Sequence, residues 1–227
     1  MKTGAPLGCF CAVSHLLTEG MRLLWHWAGG VCFHLETCRR ADQAHFDFCN
    51  RFQEMPLWQA KAACKERYRR TDDDREPTLA LTISHRSRRG INELRQARFV
   101  AAKDGGEPKA WIEGKHEASF SLVAGTPLIG CQTRYGIVSG VFYRVTRLLD
   151  DETCEVEDDR GETKDLSFDH LKKVCRLAWA ITIHASQSRE FEGLVELYNT
   201  EHPYFTMRHL VVATSRVKAG SNLVVVS

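Results

Sequence analysis

One stretch constrains this chain more than any other: Leu177-Ala178-Trp179-Ala180-Ile181-Thr182-Ile183-His184-Ala185-Ser186-Gln187-Ser188-Arg189-Glu190-Phe191. An apolar run of strand type leads directly into a cluster of Thr, His, Ser, Gln and Glu. In an open parallel sheet, ligands bind beyond the carboxyl ends of the strands, so polar residues gathered there mark a site rather than a solvated surface. The stretch therefore predicts an α/β fold. Downstream, Thr206 to Lys218 reads as a second strand-and-helix unit, closed by Ala219-Gly220 and the run Ser221 to Ser227.

Composition sets the outer bounds. The chain of 227 residues is 43% hydrophobic, enough for one large or two small cores, which excludes disordered and fibrous classes. Its net charge of +2 is too mild to argue for nucleic-acid binding, so any such reading rests on local clusters. The nine cysteines lack C-x-x-C pairs, and this predicts a reduced intracellular compartment and no metal site, without singling out nucleus or cytoplasm. Lys2 before the apolar stretch Ala5 to Leu17 imitates a signal peptide, but Ser14-His15 and Glu19 break the pattern. No run approaches the ~20 apolar residues of a membrane span, so a soluble protein with no membrane partner is expected.

Along the chain, Ser14 to Trp27 predicts a helix and Val31 to Leu35 a short strand. Helices are predicted at about Gln43 to Phe52 and Leu57 to Tyr68, followed by a charged linker, Arg69 to Pro77. Thr78 to Ile83 has the pattern of a buried strand. The polar turn after it opens a helix, with Ser84 or Ser87 as N-cap. Arg86, Arg88, Arg89, Arg95 and Arg98 lie in or beside that helix. Guanidinium forks next to a helix start suit phosphate contacts; a solvated basic face is the alternative. Residues 119 to 172 alternate in period two between turn signals, which predicts a small antiparallel β-barrel of SH3 type, placed at 130–172. Within it, Leu148-Leu149-Asp150-Asp151-Glu152 reads as a strand end and turn.

Thr182-Ile183-His184, Gln187 and Glu190-Phe191, followed in order by Val212-Ala213-Thr214-Ser215-Arg216, resemble motifs V and VI of the superfamily 1 DNA helicases, in the UvrD-like C-terminal core domain. The resemblance is strong over about the last 55 residues and extends back to about residue 78. It implies a RecA-like parallel sheet flanked by helices over residues 55–227, carrying the inserted barrel. Residues 1–54 are then a remnant of the first RecA-like domain with connecting helices.

The resemblance also implies roles. Arg216 becomes the arginine finger that supplies charge to a transferring phosphoryl group. Arg40, in a segment Leu35 to Asp42 that resembles motif IV, is a second catalytic candidate; an ordinary strand-to-helix junction explains that segment equally well. Gln187 and Glu190 would contact the nucleotide, Glu190 through ribose hydroxyls. Thr182, His184, Ser84, Arg86 and Arg89 would contact the nucleic-acid backbone.

Two positions depart from the family pattern. Ser188 stands where glycine is usual, and Ala185 where a basic residue often stands. A larger departure is the lack of a G-x-x-x-x-G-K-[ST] phosphate cradle anywhere in the sequence; the only Gly-Lys pair, Gly114-Lys115, has no such context. The expected cofactor, ATP with Mg2+, therefore requires a P-loop half supplied in cis or trans. The expected partner is single-stranded DNA, with RNA as the alternative polymer. The rival reading is a non-catalytic single-strand-binding module or an inactive helicase relic.

Overall fold

The structure is a computed structural model and describes residues 41–70, 75–103, 110–113 and 119–226. The helix expected over Ser14 to Trp27, the strand over Val31 to Leu35 and the candidate Arg40 lie outside the described residues.

The described residues open with helix α1 (Gln43–Asn50), a 3₁₀ turn (Arg51–Glu54) and helix α2 (Leu57–Arg67). Asp42 caps α1, its carboxylate accepting the His45 amide at 2.7 Å and the Gly220 amide at 2.8 Å. These backbone donors outweigh the effect of burial and hold the Asp42 carboxyl below its ordinary range. The cap thus ties the first helix to the C-terminal segment. Helices on both sides of residue 54 pack, through Phe48, Phe52, Ala60 and Cys64, into the same apolar cluster as the parallel sheet.

Strand β1 (Leu79–Thr82) follows, then α3 (His85–Ala102), capped by Ser84, whose hydroxyl accepts the Ser87 amide at 3.1 Å. Next come β2 (Ala110–Ile112), β3 (Phe120–Leu122), β4 (Pro127–Gly130), β5 (Phe142–Leu148), β6 (Thr153–Asp158) and β7 (Thr163–Ser167). Helix α4 (Phe168–Val174), β8 (Cys175–Leu177), β9 (Ala180–Thr182), β10 (Val195–Leu197), α5 (Met207–Thr214) and β11 (Leu223–Val225) complete the order.

Two main sheets result. The first is parallel, in the order β11-β10-β1-β9, and every residue of its strands is buried. Burial on both faces explains their largely apolar character, with Glu196 of β10 and the terminal threonines of β1 and β9 as the polar exceptions. The second is antiparallel, in the order β7-β6-β5-β4-β8, and β2 pairs separately with β3. Everything from β2 to β8 is inserted between β1 and β9, which lie side by side in the parallel sheet.

The SH3-like barrel expected at 130–172 does not form. The second sheet stays open, because β7 pairs only with β6 and β8 only with β4 among the described residues. Helix α4 packs against both edge strands and buries Leu171 and Val174 there, so it occupies the place where a closing strand pair would lie. The sheet also reaches beyond the expected bounds, from Pro127 to Leu177.

The organising stretch is not one strand. Leu177 ends β8 of the antiparallel sheet, and Ala180 begins β9 of the parallel one. Asn92 of α3 clamps this crossing: its amide nitrogen donates to the Leu177 and Ala180 carbonyls at 3.2 Å each, and its oxygen accepts the Ala180 amide at 2.8 Å. One turn on, Gln96 accepts the Trp179 indole N–H at 2.7 Å and donates to the Ser121 carbonyl at 2.7 Å. The buried polar residues Arg88, Asn92 and Gln96 recur at helical spacing, so one face of α3 is built to serve this seam. The strand expected before α5 is absent from that place; the missing parallel strand is β10, upstream of it.

Candidate nucleic-acid interface

Because the four strands of the first sheet are parallel, their carboxyl ends share one edge. Thr82 of β1 and Thr182 of β9 stand side by side there in register, and the Ile183 amide donates to the Thr82 carbonyl at 2.8 Å. The α3 N-terminus, with Ser84 half-buried and Arg86 exposed, is therefore set beside the loop that carries His184. Arg89 lies exposed one turn farther along α3, whereas Arg88 points inward, 1% exposed.

Residues His184–Ser186 form a 3₁₀ turn. Thr182 Oγ1 accepts the Ala185 amide at 3.2 Å, which leaves its own O–H as a donor. His184 is exposed and Gln187 half-exposed. The turn packs on α5, where His209 is held below the ordinary imidazole value by burial first and then by Arg208 and His184. Thr206 N–H donates to His209 Nδ1 at 3.1 Å, and this capping contact needs that nitrogen unprotonated.

Ser188 has φ +63°, the left-handed conformation that glycine adopts without cost. The serine departure noted in the sequence therefore falls where the backbone asks for a glycine. Beyond it the loop runs back along the sheet. Its last glycine, Gly193 at φ +78°, passes so close to Thr78 that a Cβ there would sit 2.6 Å from Thr78 Cγ2.

Arg216 lies under this loop, 7% exposed. Its Nη1 donates to the Arg189 carbonyl at 2.8 Å and the Ser186 carbonyl at 3.4 Å, while Nε donates to the Val212 carbonyl at 3.0 Å. Ser215 Oγ accepts from Nη2 at 2.7 Å. The Phe191 amide donates back to the Arg216 carbonyl at 2.9 Å. The two motif segments are thus joined as one unit, with the guanidinium fork as the joint.

Glu190 lies elsewhere. It is exposed and lines a cleft of about 390 Å³ with Phe142, Phe191, Arg144, Arg189 and Asp158. Thr78, Leu79, Ala178 and Glu192 also line it, which places the cleft at the amino ends of β1, β9 and β10. The Arg189 guanidinium lies 5.2 Å from the centroid of the Phe142 ring. The structure thus places Ser84, Arg86, Thr182 and His184 at or just beyond the carboxyl ends of β1 and β9, leaves Gln187 half-exposed in the same loop as His184, buries Arg216, and puts Glu190 at the opposite end of the strands.

Sequence reading passed over Glu196, in the middle of the parallel sheet and 2% exposed. Arg95 and Arg70 pair with its carboxylate, the latter at 2.9 Å, and the Tyr198 hydroxyl donates to it at 2.8 Å. The one available signal was a glutamate inside the apolar run Leu194 to Leu197. A buried carboxylate demands partners of this kind.

No group of three or more His, Cys, Asp or Glu side chains suited to a metal occurs among the described residues. No described helix is long and apolar enough to cross a membrane. With no phosphate cradle in the sequence, the residues present do not themselves fit a magnesium–nucleotide complex.

The chain is built as a parallel α/β sheet interrupted by a large antiparallel insertion, with polar loops at the carboxyl edge of the parallel sheet. Solved structures of Pif1 helicases share this fold. In a structure of two coordinating Pif1 helicases unwinding forked double-stranded DNA, the TM-score is 0.59 at 17% identity, covering 84% of this chain and 48% of that one. For Bacteroides Pif1 in complex with ADP-AlF3 and single-stranded DNA the values are 0.56 and 18%, covering 86% and 52%. For Candida albicans Pif1 they are 0.55 and 15%, covering 88% and 58%. The chain thus spans about half the length of these structures. Such likeness establishes the fold. It does not reach the UvrD-like subtype or the motif assignment expected from the sequence. No family model and no curated protein matches the sequence.

Proposed function

We propose that this chain is the motif V and VI half of a superfamily 1 DNA helicase, of Pif1 rather than UvrD-like kind. It grips single-stranded DNA at the carboxyl edge of its parallel sheet. The observation that carries this reading is the convergence of Ser84, Arg86, Thr182 and His184 on that edge, from two strands linked by the Thr82–Ile183 backbone bond. Hydroxyls, an imidazole and a guanidinium on one edge match the contacts that a phosphodiester backbone accepts.

In this reading Arg216 is the arginine finger candidate, with Gln187 and Glu190 contributing to a nucleotide whose ATP and Mg2+ are held by a P-loop half supplied from elsewhere. The Pif1 structure with ADP-AlF3 supports nucleotide use in that class of protein. The chain by itself is expected to bind single strands with a steep salt dependence and to hydrolyse no ATP. Both are read by titrating a labelled oligonucleotide across salt concentrations and by a phosphate-release assay. Strand-dependent ATP turnover by this chain alone overturns the half-motor assignment. Absence of strand binding at low salt overturns the interface.

One observation favours a second reading, a single-strand-binding module without motor activity. The Arg216 donors are spent on the carbonyls of Val212, Ser186 and Arg189. Adding back a P-loop half separates the two: ATPase restored by it supports the motor, and unchanged binding without turnover supports the module.

A further inference from the structure

The loop that follows β10 begins at the same carboxyl edge as Thr182 and His184, and it carries Tyr204, 77% exposed, more than any other large apolar side chain described. A ring left in water forgoes the burial that aromatic side chains normally find. Tyr204 is nonetheless held in place: its amide donates to His202 Nδ1 at 3.2 Å, and the two rings lie 5.6 Å apart at 45°. A cation follows four residues on, at Arg208. Arg208, exposed in the first turn of α5, has no carboxylate partner among the described residues, and it acts with His184 on His209. The carboxylate of this loop, Glu201, is engaged by Lys61 and Lys65 at 2.7 Å each.

An exposed aromatic face with an exposed guanidinium on the next helical turn, and the nearby carboxylate neutralised, is the chemistry that holds a nucleotide of a single strand: the base on the ring, the phosphate on the guanidinium. We propose that Tyr204 is a base-stacking platform for single-stranded nucleic acid, with Arg208 taking the adjoining phosphate. The inference rests on the nucleic-acid reading above and extends it to a residue outside both motifs.

The test is the affinity of the whole chain for a labelled oligothymidine and for an abasic oligomer of equal length. Wild type is compared with Tyr204→Ala, Tyr204→Phe and Arg208→Ala, each first shown by thermal melting to fold. Stacking predicts that Tyr204→Ala weakens oligothymidine binding about 5- to 150-fold, that Tyr204→Phe binds as wild type, and that Tyr204→Ala and wild type bind the abasic strand alike. Arg208→Ala is expected to lower the salt slope by about one on both strands. If wild type binds oligothymidine and Tyr204→Ala binds it equally well, the platform is overturned while the interface stands. Loss in Tyr204→Phe equal to that in Tyr204→Ala assigns the effect to the hydroxyl and also overturns stacking. Failure of wild type to bind either strand sinks the interface itself, and the platform with it.

Discussion

The Arg216 guanidinium donates to the Arg189 carbonyl at 2.8 Å, and this contact joins the last helix of the chain to the loop that follows β9. A buried cation satisfied by carbonyl dipoles rigidifies the loop it holds. Arg216→Ala leaves those carbonyls without their donor and is expected to cost about 2–4 kcal/mol, read from the urea midpoint. Arg216→Lys keeps the charge but not the fork, so it should recover only part of that loss. Wild-type stability in Arg216→Ala would show that the fork holds nothing.

Ser188 sits at φ +63°. For a side chain with a branched Cβ that conformation is costlier than for serine, and for glycine it is free. Ser188→Val should therefore be less stable than Ser188→Gly by about 1–2 kcal/mol in paired thermal melts. Equal stabilities would mean that the loop does not hold the left-handed turn in solution.

The crossing between the two sheets hangs on Asn92. Asn92→Ala removes three hydrogen bonds around Leu177 and Ala180 and is expected to cost about 2–4 kcal/mol. Hydrogen exchange at the Ala180 amide should speed up in the same variant, and unchanged protection there would argue that the clamp is dispensable.

His45 is buried, with Nε2 at 2.9 Å from the Thr214 carbonyl and Nδ1 at 2.7 Å from the Tyr68 hydroxyl. A carbonyl only accepts, so Nε2 carries a proton; burial disfavours a second one, which leaves the ring neutral with Nδ1 free to accept from the tyrosine hydroxyl. Burial is the main cause of its lowered pKa, opposed by the Thr214 carbonyl and Asp42. The unfolded chain then takes up the proton first as pH falls. Stability is complete above the ordinary imidazole value of 6.5 and is lost as pH drops through it toward the lower folded value. His209, lowered for like reasons, adds to the same trend. Urea midpoints measured from pH 8 to pH 5 should fall on the acid side, less steeply in His45→Gln. A profile no steeper in wild type than in that variant would count against a neutral buried His45.

Much of the local structure was legible in the residues. Helix α2, strand β1 and the Ser84 cap follow from the proline at a helix start, an apolar run and a single hydroxyl, and the hairpin texture of 119–172 marked the antiparallel insertion. The gathering of polar groups after Ile181 was readable too, since the order of residues along a strand end is local information. What the sequence determined alone is therefore the identity of the segments and the polar character of the edge.

Tertiary structure decided how those segments meet. An apolar run from Leu177 to Ile183 cannot declare which sheet each residue will join, and it was Asn92, distant in sequence, that split it between two. The hairpin pattern could not say whether its sheet would close; α4, packed across both edges, kept it open. Nor could motif spacing tell that Arg216 would be turned inward onto carbonyls, or that the returning loop would carry Glu190 to the far end of the strands. Each of these outcomes depends on contacts between residues far apart in the chain. Periodicity and spacing report only on near neighbours, so these arrangements become visible when the chain is folded.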